Sequence, residues 1–250
     1  MIFADHLNSG IGVTVPVGPL SRLFGVGDQS EADNVELGGK DSDSPPPLSD
    51  YIDRLGRMTG RRILDVGAGH GEAPATFVRH GAKEVVATGL SSLGDMDLVP
   101  GVRTSLTDAE LAAPPSVGAA SGESKDFRLV ACHPYDLDAM NLGRFDVVHC
   151  ADQLRRATDP ARITENLRAV TEGAAVLCER YDPDLDRFQP SDVMEYVGVG
   201  VIPRWWRFGQ GTLCQLLRDA GFERVRQLAT LRDDNAADLR DRLWGIFHAE

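Results

Sequence analysis

The stretch "RRILDVGAGHGEAPATFVRHG" (61–81) constrains the fold of this chain more than any other. Residues 61–67 are short and apolar enough for a buried strand. Gly67, Gly69 and Gly71 follow within five residues, where a tight turn needs freedom from a Cβ. Residues 71–81 then read as a helix, with Pro74 tolerable in its first turn and Gly81 as its stop. A strand that turns through glycines into a helix is the opening unit of an α/β sheet.

The alternation continues. "EVVATG" (84–89), "FRLVAC" (127–132), "FDVVHC" (145–150) and "AAVLCERY" (174–181) read as strands two to five. Between the last two, "DPARITENLRAVTEG" reads as a helix with Asp159 as N-cap, Pro160 at its first position and Gly173 closing it. "GTLCQLLRDAG" (211–221) is another helix, and "FERVRQLATL" and "DRLWGIFHA" read as a final antiparallel strand pair. Five strands alternating with helices imply a parallel sheet with helices on both faces, and a ligand site at the strands' carboxyl ends.

The flanks read differently. Residues 1–47 are broken by Gly and Pro and then acidic and turn-rich, an arm or lid rather than a packed element. Ser49 is placed to cap a short amphipathic helix, "DYIDRLGRM". "AAPPSVGAASGESK" is a low-complexity loop within the long connection after strand two.

Composition narrows the partners. The 250 residues carry a formal net charge of −12, with a pI near 4.9. Such a surface repels phosphate backbones and disfavours nucleic acid as a partner. Cys132, Cys150, Cys178 and Cys214 lack CxxC spacing and sit in or beside apolar runs, so buried free thiols are expected and no metal site. The first residues lack a basic and apolar leader pattern, and no apolar run approaches ~18 residues. A cytoplasmic protein with no membrane span is the expectation; oligomeric state is not legible.

The glycine spacing bears on the ligand. A dinucleotide turn, G-x-G-x-x-G, would place Gly or Ala at 72, where this chain has Glu72. An acid there also disfavours a pyrophosphate at the helix N-terminus. The pattern here is G-x-G-x-G after Asp65.

"ILDVGAGHGEA" resembles motif I of class I S-adenosylmethionine-dependent methyltransferases. The resemblance extends over most of residues 50–250, through "FDVVHCADQLRRATDP", "AVTEGAAVLCER" and "IPRWWRFGQGTLCQLLRDAGFERV". The last segment is also similar to one in enzymes that alkylate tRNA wobble uridine. The resemblance implies a Rossmann-like α/β domain over 48–250, with a mostly parallel seven-stranded sheet whose last strand is antiparallel. It implies S-adenosyl-L-methionine, or S-adenosyl-L-homocysteine as bound product. Gly67, Ala68, Gly69 and Gly71 would hold the methionine part, and Asp65 would order the turn or meet the amino group through water. Asp136 would accept from the adenine amino group, Leu137 would flank the ring, and Cys150 and Ala151 would floor the sulfonium site.

Two positions depart from the family. Gly89 stands where Asp or Glu normally accepts both ribose hydroxyls, bonds worth ~1.5–3 kcal/mol each. Asp95 is the first-choice substitute and Asp97 the second, with Leu90 and Ser91 also near the ribose and Ser91 or Ser92 as weaker neutral partners. Arg156 replaces a His frequent in relatives.

Methyl transfer from a sulfonium asks mainly for alignment and exclusion of water, and for a base only when the acceptor must lose a proton. His149 and Asp152, at the end of strand four, are the candidate base and its neighbour, although strand alternation leaves His149 equally free to pack against a helix; His133 and Tyr135 are weaker candidates. The insertion 182–209 and its border carry Tyr181, Phe188, Tyr196, Trp205, Trp206 and Phe208, which could wall a planar acceptor, with Arg204 and Arg207 to meet a carboxylate or phosphate. The leading expectation is methyl transfer to a small aromatic or carboxylate-bearing molecule. A protein that kept the fold but not methyl transfer is the alternative, and a tRNA-modifying enzyme the third reading.

Overall fold

In the computed structural model, residues 44–112, 126–187, 193–199, 203–236 and 238–250 are described. Most of the arm expected over 1–47, nearly all of the loop 112–125 and Phe188 lie outside them. The first half of the described chain runs β1 (Arg62–Val66), α1 (Glu72–Arg79), β2 (Glu84–Gly89), α2 (Pro100–Ser105), α3 (Asp108–Ala112), β3 (Arg128–Ala131) and β4 (Phe145–Ala151). It continues with α4 (Pro160–Val170), β5 (Thr171–Tyr181), β6 (Met194–Val199), β7 (Arg204–Phe208), α5 (Gln210–Asp219), β8 (Val225–Arg232) and β9 (Leu243–Ala249).

Seven strands form one sheet in the order β3-β2-β1-β4-β5-β9-β8. β1 to β5 are parallel, and β9 runs antiparallel between β5 and β8. The Rossmann-like fold with an antiparallel last strand is therefore present. The strand order reverses between β1 and β4, which opens a crevice at their carboxyl ends.

Side-chain alternation divides the core. On one face Leu64, Val66, Val148 and Cys150 pack with Ile163 and Leu167 of α4 and Leu213 and Leu217 of α5. On the other, Ile63, Val147, Val176 and Ile246 pack with Phe77 of α1 and with Leu48, Tyr51, Ile52 and Met58. The second set arises from two short 3-10 turns, Leu48–Asp50 and Ile52–Leu55, in place of the single helix expected from Ser49. Ser49 caps nothing; it lies inside the first turn, whose preceding residue is Pro47. Tyr51, between the turns, is 1% exposed.

Local signals account for the helix ends. Asp159 accepts from the Arg162 amide, a cap worth about 1 kcal/mol, and Pro160 occupies the first position of α4. Gly173 does not end α4, which stops at Val170 as the chain enters β5 directly. A Cβ at Gly173 would sit 2.3 Å from the Asp146 carbonyl oxygen, at a register shift where Phe145 pairs with Thr171 and Val147 with Ala174. This glycine permits a bulge against β4. Within the insertion 182–209, β6 and β7 form an antiparallel hairpin, and β7 packs on the 3-10 turn Leu154–Arg156 that follows β4.

Candidate functional site

The glycine turn leaves β1 with Gly67, Gly69 and Gly71 at φ of +72°, +53° and +81°, in the left-handed region that favours glycine. Thr88 on β2 anchors it: the Ala68 amide donates to the Thr88 carbonyl at 2.8 Å, and the Gly67 amide donates to its hydroxyl at 3.3 Å. Gly71 is the residue before α1, so the helix begins from a left-handed conformation.

Beside this turn, between the carboxyl ends of β2, β3 and β4, lies a cavity of about 50 Å³, bounded by Leu90, Asp97, His133, Gln153, Arg156 and Pro203. Small-molecule sites are typically ~300 Å³ or more. The shortfall has a visible cause: Gln153 lies where a Cβ at Gly67 would meet its amide at 2.3 Å, held by its own bond to the Ala151 carbonyl at 3.0 Å. Neither Gln153 nor Thr88 was singled out from sequence, because nothing in a Gln two residues after a strand marks it as a lid on a glycine.

Asp65 and His149 are register partners on β1 and β4, so both point to the α1 face. The His149 Nδ1 lies 2.5 Å from Asp65 Oδ1, and its Nε2 2.7 Å from the Tyr51 hydroxyl. Burial raises the Tyr51 pKa well above its ordinary value, so the phenol keeps its proton. The imidazole therefore bridges the Tyr51 hydroxyl and the Asp65 carboxylate through its two nitrogens. Tyr51 stacks on the imidazole and Phe77 meets it edge-on. His149 is 1% exposed, with both nitrogens engaged and no place on the cavity wall. Alternation thus turned His149, expected as a base, into the helix-covered face.

Asp152, expected beside it, is not among the residues lining the cavity either. It sits at φ +57°, is 2% exposed, and its carboxylate is clamped by the guanidinium groups of Arg155 and Arg156. Arg156, which replaces the family's His, spans Asp152 and the cavity wall. Nearby Glu179 is fully buried on β5 and accepts from the Leu154 amide at 2.9 Å. Burial, reinforced by the Asp152 charge, pushes its pKa up to about 8.

The remaining expected cofactor residues separate. At Gly89 a Cβ would meet nothing within 4 Å, so the position vacated by the family acid is open space. Leu90 lines the cavity and Ser91 is exposed. Asp95 is exposed and accepts the Ser92 amide at 2.9 Å within a small capping turn. Asp97 lines the cavity; its Oδ2 accepts from the Tyr135 hydroxyl at 2.5 Å, the Thr158 amide at 2.6 Å and the Thr158 hydroxyl at 2.9 Å. Of the two acids expected at the ribose, Asp97 is among the cavity-lining residues and Asp95 is not. Asp136 is exposed with a long ion pair to Arg162 at 3.4 Å. Leu137 and Cys150 are both 0% exposed in the core, while Ala151 is half-buried.

Of the expected acceptor wall, Tyr181 is a core residue: 6% exposed, bonded to Thr230 at 3.0 Å and packed on Phe247. Phe208 is 0% exposed. Tyr196, 62% exposed, packs on Trp205 and Trp206. Trp205 donates to the Asp97 carbonyl at 2.6 Å, which ties the hairpin to the cavity rim. Arg204 pairs with Asp241, and Arg207 with Glu195, Asp238 and Asp241. These arginines hold the hairpin to the loop before β9, and Arg207 keeps the Glu195 carboxyl below its usual range.

The four cysteines form no disulfide, and three of them are buried. Among the described residues no group of three or more His, Cys, Asp or Glu is arranged to hold a metal, and no helix is long and apolar enough to cross a membrane. The donor set fits a ligand with a cationic amine beside the turn: Asp65 Oδ2 is buried and finds no partner. An orphaned carboxylate oxygen is costly, and a positive donor would satisfy it.

Comparison with known proteins agrees with this geometry. The N-terminal domain of EvdMO1, solved in the presence of S-adenosylhomocysteine and D-fucose, superposes with a TM-score of 0.56 at 17% identity, over 92% of this chain and 93% of that one. A Burkholderia thailandensis O-methyltransferase family protein gives 0.51 at 15%, over 82% and 55%. In sequence, the ubiquinone biosynthesis O-methyltransferase of Chromobacterium violaceum is 28% identical over 80% of this chain and 87% of its own length. That of Xylella fastidiosa strain M23 is 33% identical over 48% of this chain and 41% of its own. Residues 41–227 match the family described as a methyltransferase domain, and with that span covering the glycine turn and the sheet's switch point, the chain belongs to this family.

Proposed function

We propose that this protein transfers a methyl group from S-adenosylmethionine to an oxygen of a small aromatic or carboxylate-bearing molecule. The single observation that carries the reading is the family match over 41–227, which takes in a turn of three left-handed glycines beside an under-partnered Asp65. The neighbour solved with S-adenosylhomocysteine bound and the O-methyltransferase relatives support the cofactor and the oxygen acceptor.

Bound there, the cofactor supplies an electrophilic methyl group on a sulfonium. The chain's own part is to bind, align and exclude water. The Gly67–Gly71 turn admits the methionine portion, and Asp65 accepts from its ammonium. Leu90 and Pro134 flank the nucleoside, and Asp97, an acid on the cavity wall, serves the ribose in place of the residue missing at Gly89. Gln153 must leave Gly67 for the site to fill. Tyr196, Trp205 and Trp206 wall the acceptor on the hairpin side. With His149 engaged in the core, an acceptor proton passes to His133 on the cavity wall or to solvent.

A second reading, a methyltransferase fold that binds a ligand without methyl transfer, draws on the open position at Gly89 and the small cavity. Incubation with methyl-labelled S-adenosylmethionine and a panel of phenols and carboxylic acids decides between them. Labelled product together with S-adenosylhomocysteine is expected. No turnover and no cofactor binding at millimolar concentration would put the second reading first.

A further inference from the structure

We propose that His149 and Tyr51 are positioning residues: a buried chain from the Tyr51 hydroxyl through His149 to Asp65 fixes the Asp65 carboxylate so that Oδ2 is presented to the primary ammonium of the ligand at the glycine turn. The inference rests on the reading above and adds residues to it that lie outside the turn.

Three observations carry it. Asp65, His149 and Tyr51 are 2%, 1% and 1% exposed, so no water competes for their bonds. Every nitrogen and oxygen along the chain has a partner except Asp65 Oδ2. Among the described residues it is the only carboxylate oxygen buried without a partner, although Arg204 Nε and Trp206 Nε1 of the hairpin also lack one, and an acceptor left short beside the glycine turn suits a donor from outside the chain. The third is rigidity. Tyr51 stacks on the imidazole at 6.0 Å between centroids and Phe77 meets it at 5.5 Å, so the ring has one orientation and the carboxylate inherits it.

Asp152 supplies the contrast. It is as deeply buried and one strand away, yet Arg155 and Arg156 occupy its carboxylate. A ligand ammonium has nothing to gain there. Tyr51 belongs to the segment before β1, so ligand affinity becomes coupled to how the 3-10 turns at 48–55 seat on the sheet.

The test is calorimetric titration of S-adenosylhomocysteine and of 5′-methylthioadenosine, which shares the nucleoside but has no amino group. Tyr51→Phe keeps the ring and removes the hydroxyl. It should weaken S-adenosylhomocysteine about 5–10-fold and leave methylthioadenosine within about twofold. In an Asp65→Asn background the same substitution should no longer change the ratio of the two affinities, since the carboxylate it positions is gone. Equal loss for both ligands, no loss for either, or an undiminished effect in the Asp65→Asn background would overturn the proposal and leave the chain a packing feature. Failure of the unaltered protein to bind either ligand would instead sink the cofactor reading, and this inference with it.

Discussion

Two carboxylates end neighbouring strands of one sheet, and their surroundings assign them opposite work. Asp65, near the end of β1, has one imidazole partner and one orphaned oxygen. Asp152, just past β4, carries two guanidinium groups on its carboxylate. Both are 2% exposed, so burial does not distinguish them. The supply of cations does. A buried acid surrounded by its own arginines is a structural joint, whereas one left short of donors has free-energy reason to take a ligand's.

The largest expected effect breaks the joint. Asp152→Asn keeps a residue type that tolerates φ near +57° but strips the charge from between Arg155 and Arg156. Removing one partner of a buried ion pair costs about 3–5 kcal/mol. In a chain of this size that lowers the melting temperature by ~6–20 °C in calorimetry. The ratio of S-adenosylhomocysteine to methylthioadenosine affinity should not move, and a selective loss of the former would erase the distinction between the two acids.

Gly69→Val tests the turn itself. A branched side chain at φ +53° adds strain of about 1–3 kcal/mol and fills ligand space. Affinity for S-adenosylhomocysteine should fall more than ~100-fold. Gly69→Ala, which shares much of the strain but little of the bulk, should fall less; equal losses would mean that backbone geometry alone matters.

Asp65→Asn is the mirror of Asp152→Asn. Binding of S-adenosylhomocysteine should weaken roughly tenfold, the worth of a charge-assisted bond. Thermal stability should hold or rise, because an under-partnered buried charge has been removed. A melting temperature that drops as far as in Asp152→Asn would show Asp65 to be a joint as well.

Glu179 sharpens the comparison from a third strand. Its pKa is raised from 4.5 to about 8, so the carboxyl favours its neutral form in the folded state. Stability from that preference is full below pH 4.5 and is lost as pH rises towards about 8. Glu179→Gln still accepts from the Leu154 amide but cannot ionise. The melting temperature of the unaltered protein should therefore fall more steeply than the variant's across this window, with a gap of a few degrees at pH 8. Parallel curves would show that Glu179 ionises at no cost.

The smallest expected change is a gain. A Cβ at Gly89 meets nothing within 4 Å, so Gly89→Asp should be accommodated and should tighten S-adenosylhomocysteine by a few fold, read by the same titration. Unchanged affinity would indicate that Asp97 already serves the ribose.

How legible this was depended on the range of the force involved. The β1–turn–α1 unit, the Asp159–Pro160 start of α4 and the antiparallel β8–β9 pair were readable because turn conformation and helix capping are set within a few residues. Gly173 misled, because the same residue type serves to stop a helix or to let two backbones approach, and only the Asp146 carbonyl beside it says which. The β6–β7 hairpin went unread as strands because its aromatics and arginines have an equally good reading as a ligand wall; the carboxylates that claim Arg204 and Arg207 come mostly from residues 238–241.

The sequence by itself determined the alternation of strands with helices and the turn of glycines, because apolar periodicity and backbone freedom are local properties. The tertiary structure alone decided which polar groups are available. His149 and Asp152 were reasonable chemistry on paper, three residues apart at a strand end. Folding brought Tyr51 and Asp65 to one and two arginines to the other, and availability for chemistry is settled by what else has claimed a group's hydrogen bonds.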